Sequence, residues 1–333
     1  MRNPDGSWEK FDDYVVDFAL DAAKSGKRFA LVTLVLIDGS SPRALGAQMA
    51  VDQDGEWVGY LSGGCIEQAI VTEATEAIRE GRNRRIRYGK GSPYIDIQLP
   101  CGSAIELLFD VKRTEQEMLS IDRTLLARQE GRLTFDGTAN SAETENLSLN
   151  FLPRRRLIIF GTGPVAVLLC RLAVTSAFEV VLYSNEDSTL AYGREAGADA
   201  IRLLSKARAP NVAIDARTAI AFLFHDHDWE EELLPIVIAS EAFYIGAIGS
   251  RRTHAQRVER LRARGVETAD VDRIHGPAGI FGGSKSAADI ALSILAQVVQ
   301  LDRHANDDRI DQLPFGAPPK VGATQPLLQG TTR

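Results

Sequence analysis

From Leu157 to Ile248, short apolar runs recur with helical patterns between most of them. Leu157–Phe160, Val180–Tyr183, Ala200–Leu203, Ala219–Phe224 and Tyr244–Ile248 read as strands. Few folds accept such an alternation, because each helix must carry the chain back before the next strand can be laid alongside. The result is a mostly parallel sheet with helices on both faces. Gly161-Thr162-Gly163-Pro164-Val165-Ala166 closes the first of these strands and opens a helix, which is the context of a Rossmann phosphate turn. The glycines permit the tight turn, the helix N-terminus attracts phosphate, and Pro164 suits a first helical turn where an N–H has no partner. The second strand ends Tyr183-Ser184-Asn185-Glu186-Asp187. That leaves no carboxylate at the strand tip for a ribose hydroxyl and no arginine beside it for a 2′-phosphate. The expectation is Rossmann topology with weak or absent NAD or NADP binding, Gly161 and Gly163 remaining candidate cofactor contacts. An amphipathic helix, Ser286–Leu301, closes this half.

The first half has a different pattern. Asp12 or Asp13 is placed to cap a helix running to Ser25-Gly26, and Phe29–Asp38 is a buried strand. Gln48–Val51 and Trp57–Leu61 flank Asp52-Gln53-Asp54-Gly55 as a hairpin. A helix from Cys65 to Arg79 ends at Gly81, and Arg84–Tyr88, Ile95–Leu99 and Ala104–Val111 read as further strands. A helix Glu115–Gln129 and a strand Arg132–Phe135 follow. The polar, aperiodic stretch Gly137–Asn150 reads as a domain linker. The fold class is therefore α/β: a mixed α/β domain over 1–137, a linker over 138–152, a Rossmann-like domain over 153–303 and a tail over 304–333.

The chain of 333 residues carries a net charge of −7, which argues against a general nucleic-acid binder. No run is long and apolar enough for a membrane span, and the N-terminus has no apolar signal core. The expectation is a cytoplasmic protein whose three cysteines are thiols. Cys170 lies in an apolar helix and reads as packing. The other two sit in Gly-rich turns, Ser62-Gly63-Gly64-Cys65 and Pro100-Cys101-Gly102-Ser103. Glycine lets a ligand approach the backbone, and a thiol beside free N–H groups suits a soft metal, a sulfur-rich cofactor or sulfur transfer. Cys65 and Cys101 are candidate ligands in one pocket, with sulfurs within roughly 5 Å if both touch one metal. A helix N-terminus beside Cys65 favours its thiolate, and Glu67 is a nearby acid or base. A small buried cysteine is the alternative for either.

Three other clusters stay open. His225-Asp226-His227-Asp228 is a metal site or a solvated turn. Gly249-Ser250-Arg251-Arg252 is a phosphate site through Ser250 and Arg251, or a helix start with solvated arginines. Gly282-Gly283-Ser284-Lys285-Ser286 is a glycine turn into the last helix rather than a P-loop, since Ala278 stands where the first glycine is required.

Taken together, Gly39-Ser40-Ser41-Pro42-Arg43, Ser62-Gly63-Gly64-Cys65-Ile66-Glu67 and the Cys101-Gly102 turn resemble the N-terminal domain of the XdhC/CoxI family. Tyr244–Arg252 and Ala287–Ala296 resemble its C-terminal Rossmann domain. Three departures stand out: Ser103 replaces the second glycine of a Cys-Gly-Gly turn, Pro164 stands where histidine is usual, and the acidic residue ending the second strand is missing. The resemblance implies an accessory protein, without turnover of its own, that binds molybdenum cofactor (molybdopterin) and delivers it to an apo molybdenum hydroxylase of the xanthine dehydrogenase type. It implies Ser40, Arg43, Gly63, Gly64, Cys65, Glu67, Cys101 and Gly102 as cofactor contacts. A cysteine desulfurase is a further candidate partner, and a homo-oligomer is expected. The alternative is an NAD(P)-dependent oxidoreductase using the Gly161–Ala166 turn.

Overall fold

The computed structural model describes residues 6–64, 66–92, 103–135, 147–205 and 213–310. The first sheet is antiparallel and five-stranded. Its strands are β1 (Phe29–Asp38), β2 (Gln48–Asp52), β3 (Trp57–Gly59), β4 (Arg84–Gly89) and β5 (Ala104–Asp110), in the order β3-β2-β1-β5-β4. β1 is apolar except at Thr33 and Asp38, because both its faces are covered. Ala30, Val32 and Leu34 pack with α2 (Glu67–Glu80). Phe29, Leu31 and Val35 pack with α1 (Val16–Lys24) and α3 (Glu115–Leu126). A register shift between Leu34 and Leu36 re-aims the end of the strand.

The local reasons are mostly legible. Gly81 ends α2 in the left-handed conformation at φ 65°. Thr114 and Glu117 close a reciprocal capping box on α3. The cap of α1 differs from expectation: Val15 precedes the helix and no side chain caps it. Asp12 is instead buried against Arg154, at 3.1 and 2.9 Å. The helix after the Ser62 turn begins at Glu67, so Cys65 precedes Ile66, which caps it. Cys65 itself, the Ile95–Leu99 strand, Cys101 and Gly102 lie outside the described residues.

The end of the expected linker is structured. β7 (Leu147–Phe151) pairs with β6 (Gly131–Phe135) in an antiparallel ribbon. Leu147, Leu149 and Phe151 alternate with polar residues, and that period lay hidden in a polar stretch.

The second sheet contains β8 (Arg156–Gly161), β9 (Glu179–Ser184), β10 (Asp199–Arg202), β11 (Thr218–Leu223), β12 (Tyr244–Ala247) and β13 (Ile274–His275). Every pairing is parallel, and the order β10-β9-β8-β11-β12-β13 is that of a doubly wound dinucleotide fold. Alternate residues of β8 serve opposite faces. Leu157 and Ile159 pack with α4 (Gly163–Thr175), α5 (Asp187–Glu195) and α9 (Ala287–Ile310). Ile158 and Phe160 pack with α6 (Glu230–Ile238), α7 (Arg251–Ala263) and α8 (Thr268–Val271). Tyr183, Phe160 and Phe222 stack across three adjacent strands, 5.0 and 5.2 Å between ring centres. Helix α9 runs on to Ile310, into the segment read as tail. Cys170 is fully buried in α4, and burial pushes its thiol up to about 12, as packing requires. Among the described residues no helix is long and apolar enough to cross a membrane.

Arginines fasten the two domains. Arg128, just past α3, bonds Asp215 at 2.6 and 3.1 Å, Glu179 at 3.1 Å and the Arg154 carbonyl at 2.8 Å. Arg154 in turn holds Asp12 and Asp17 and lies over the Tyr14 ring, 4.1 Å from its centre.

Candidate functional site

The topology brings the N-terminal motifs together. β1, β3 and β4 run in one direction and β5 enters from the end where they leave. The Gly39–Arg43 loop, the Tyr60–Gly64 turn and Ser103, just before β5, therefore lie at one end of the sheet. Gly39 has φ +94°, and a Cβ added there would stand 3.0 Å from Cβ of Ser103, so the first loop rests against the residue that follows Gly102. Ser40 is exposed on that loop.

Gly63 and Gly64 are exposed, and a Cβ added at either meets nothing within 4 Å. Gly64 requires glycine for its φ of +99°. The backbone of this turn thus faces open space, and the turn is held from beneath. Glu67 is 5% exposed. Its Oε1 accepts from Leu61 N at 3.3 Å, Ser62 N at 2.8 Å and Ser62 Oγ at 2.9 Å. Its Oε2 accepts from Ser62 Oγ at 2.7 Å and Ile66 N at 3.3 Å. One carboxylate satisfies donors on both sides of the glycines, so Glu67 faces inward as the brace of the turn.

Arg87, at the end of β4, bridges Asp38 at 2.5 Å and Glu106 at 3.2 Å on the same end of the sheet. The Asp38 hydrogen bond pushes its pKa further up. Arg43 lies over the Tyr60 ring, 4.1 Å from its centre, with Nη1 donating to Tyr60 Oη at 2.9 Å and Nη2 paired with Asp13.

The Rossmann turn is built differently from a nucleotide site. Gly161 is a packing glycine: an added Cβ would lie 2.6 Å from Cβ of Leu223 on β11. Gly163 has φ +79° and open space beside it, yet its N–H donates to Thr189 Oγ1 at 2.8 Å. Thr189 Oγ1 then donates to Glu186 Oε2 at 2.5 Å. These bonds hold the Glu186 carboxyl below the usual carboxylate range, the Thr189 hydrogen bond first among the causes. No carboxylate ends β9, as the sequence suggests, but one stands just beyond it. Glu186, two residues past β9, sits against the glycine turn. An arginine is present too: Arg202 from β10 pairs with Asp187 and reaches the Asn185 carbonyl. Both depend on how two strand ends meet, which the local sequence does not display.

Ser250 caps α7, accepting from Thr253 N at 3.1 Å, and Arg251 is exposed beside it. Beneath them lies a pair that the sequence does not reveal. Arg257 holds Glu230 at 2.7 and 3.2 Å, both buried, and donates to the Ile248 carbonyl at 2.9 Å. His225 is exposed, and Asp226 shapes its own turn by accepting from Asp228 N at 3.1 Å. Among the described residues no three His, Cys, Asp or Glu side chains are grouped to hold a metal.

Among the described residues, Arg43 and the Rossmann turn lie at opposite ends of β8. Arg43 shares a cleft with Arg154 and Arg155, at the start of β8, whereas Gly161 ends that strand.

Residues 157–298 match the XdhC Rossmann domain and residues 22–89 match the XdhC and CoxI family. The chain is 35% identical to the molybdenum cofactor insertion chaperone PaoD of Escherichia coli K12, over 89% of this chain and 91% of that protein. It is 23% identical to a probable xanthine dehydrogenase subunit from Bacillus subtilis 168, over 81% and 92% of the two chains. The crystal structure of a xanthine dehydrogenase from Bacillus halodurans superposes with a TM-score of 0.72 at 21% identity, covering 92% of this chain and 98% of that one.

Proposed function

Because this chain belongs to the XdhC and CoxI family, we propose that it is a chaperone of molybdenum cofactor, which binds the cofactor and delivers it to an apo molybdenum hydroxylase. The observation that carries this reading is the 35% identity, over nearly the full length of both chains, to a protein named as a molybdenum cofactor insertion chaperone. The site geometry is compatible with such a cargo. Gly63 and Gly64 present backbone to open space, which suits the phosphate and pterin of the cofactor. Ser40 and Arg43 lie on the loop that opens from the same end of the sheet. Cys65 and Cys101, with Gly102, would supply soft contacts to molybdenum. Glu67 is a positioning residue, since its oxygens are engaged by the turn it braces. Ser250 and Arg251 would serve the same cargo or its nucleotide only from a separate site at the far end of the Rossmann sheet.

The oxidoreductase alternative is disfavoured at Gly163, whose N–H is engaged by Thr189, and at Pro164, which has no N–H. A chaperone needs no turnover of its own and acts through the hydroxylase and, for sulfuration, a cysteine desulfurase. Anaerobic purification with metal and pterin analysis tests the reading. Molybdenum and pterin should co-purify with the chain in cells that make the cofactor. Protein free of both, from cells whose hydroxylase is active, would refute it.

A further inference from the structure

The face between the two domains contains a cleft of about 370 Å³, lined by both domains and by the segment that joins them. Its volume is that of a small-molecule site. Four arginines line it, and they are not equivalent. Arg154 is paired with Asp12, whose side chain is 1% exposed, and Arg155 with Asp302, at 6%. Such buried pairs are part of the fold, since removing one member strands the other. Arg217 uses Nε on the Pro153 carbonyl at 2.8 Å and adds positive charge to the Rossmann wall. Arg43 is different. Its side chain is 17% exposed, but the carboxylate it holds, Asp13, is 63% exposed. Its Nε is enclosed without a hydrogen-bond partner. An exposed carboxylate on a largely enclosed guanidinium is easily exchanged, because water and salt already screen it.

We propose that this cleft is a phosphate site, in which Arg43 is the anchor and Asp13 an internal competitor that a phosphate displaces. Arg43 keeps Tyr60 on Nη1 and on its face, so the guanidinium plane stays fixed while Nη2 changes partner. A planar guanidinium held in this way suits a phosphate better than a mobile lysine does. Tyr60 directly precedes Leu61 and Ser62, whose N–H groups Glu67 holds, so the anchor adjoins the open glycine turn. Arg155 and Arg217 of the other domain line the same cleft, so a phosphate on Arg43 would draw on positive charge from both domains. The proposal rests on the cofactor reading only for the identity of the molecule that carries the phosphate.

The test titrates the full chain with inorganic phosphate and with phenyl phosphate by calorimetry at low ionic strength. Asp13→Asn should tighten phosphate about fivefold, the factor that an exposed ion pair of ordinary strength represents. Arg43→Ala should weaken it at least about tenfold, as expected for loss of a charge-assisted contact, with Arg43→Lys between the two. Tighter binding of phenyl phosphate would identify a phosphomonoester site and equal binding a free phosphate site; either supports the proposal. Phosphate binding unchanged by Arg43→Ala, or not tightened by Asp13→Asn, overturns it. Because Asp13 is exposed, Asp13→Asn should fold normally, and its sign separates displacement from mere packing. If phosphate obeys this pattern while molybdenum and pterin never co-purify, the cofactor reading fails and the site stands.

Discussion

Replacing Glu67 should loosen the glycine turn from beneath without touching a residue that faces the ligand. In Glu67→Ala, two backbone donors lose their acceptor, Leu61 N at 3.3 Å and Ser62 N at 2.8 Å, while Ile66 N keeps Ser62 Oγ at 3.3 Å. The Ser62 hydroxyl, which donates to both oxygens, loses that acceptor as well. A buried donor left unsatisfied costs roughly 1–3 kcal/mol. The long Leu61 bond belongs at the low end, so with the Ser62 amide and hydroxyl the sum is about 3–5 kcal/mol if the turn cannot open to water. Glu67→Gln is milder. Its amide oxygen can replace Oε1, and Ser62 Oγ can turn to accept from the amide nitrogen. The Ile66 N–H then keeps only Ser62 Oγ as acceptor, a loss of about 1 kcal/mol. Urea unfolding should rank the proteins parent, then Gln, then Ala, and amide exchange at 61–66 should accelerate in the same order. The glycine turn should lose ligand contacts in proportion, so cofactor delivery falls with Glu67→Gln even where the fold persists. Equal stability and unchanged exchange in Glu67→Ala would refute the brace.

At the Rossmann turn, NAD, NADP and FAD should show no submicromolar binding by calorimetry, and such binding would show that the Gly163 N–H is available after all. Gly161→Ala should destabilise by about 1–3 kcal/mol through overpacking on Leu223, more than Gly163→Ala, whose cost of about 1–2 kcal/mol is backbone strain alone; the reverse order in urea melts would contradict the packing. His275 stacks on Tyr244 with ring centres 5.2 Å apart, and burial lowers its pKa from the ordinary value. Above about 6.5 both folded and unfolded states are neutral there. As pH falls through that value the unfolded chain takes the proton first, so stability should drop below about pH 6.5, with His254, whose pKa burial also lowers, adding to the slope. His275→Gln should flatten that slope, and an unchanged slope would exclude His275 as its source. Arg128→Ala should cost about 1–3 kcal/mol, because Asp215 and Glu179 are partly exposed and keep Thr218 and Arg156 as partners, and should split thermal unfolding into two domain transitions, whereas one unchanged transition would mean that other contacts couple the domains.

What the sequence disclosed were features whose signal is local. β1 and five of the six strands of the parallel sheet announced themselves as apolar runs, the two-residue β13 excepted, Gly81 as a helix stop, and the Gly161 turn by its place between strand and helix. Asp12 was misread because a capping position is a local inference, while its partner Arg154 lies 142 residues away. The buried Arg257–Glu230 pair spans 27 residues and has no motif. Glu67 was visible as a motif residue, but its role was not. Whether a carboxylate faces a ligand or the turn before it depends on where the helix begins, and α2 begins two residues later than the sequence suggested. Glu186 and Arg202 were overlooked for a related reason, since they lie past strand ends, where the loop path and not the strand pattern decides what meets.

The most direct test of the chaperone reading is molybdenum transfer. The chain is loaded with cofactor anaerobically, mixed with an apo molybdenum hydroxylase, and both proteins are separated and analysed for molybdenum and activity. The account predicts that metal leaves the chain and active hydroxylase forms. It further predicts that Cys65→Ser sharply reduces this transfer with little change in melting temperature, and that Cys101→Ser has a smaller effect. Metal that stays on the chain, or a hydroxylase activated equally well without it, would contradict the account.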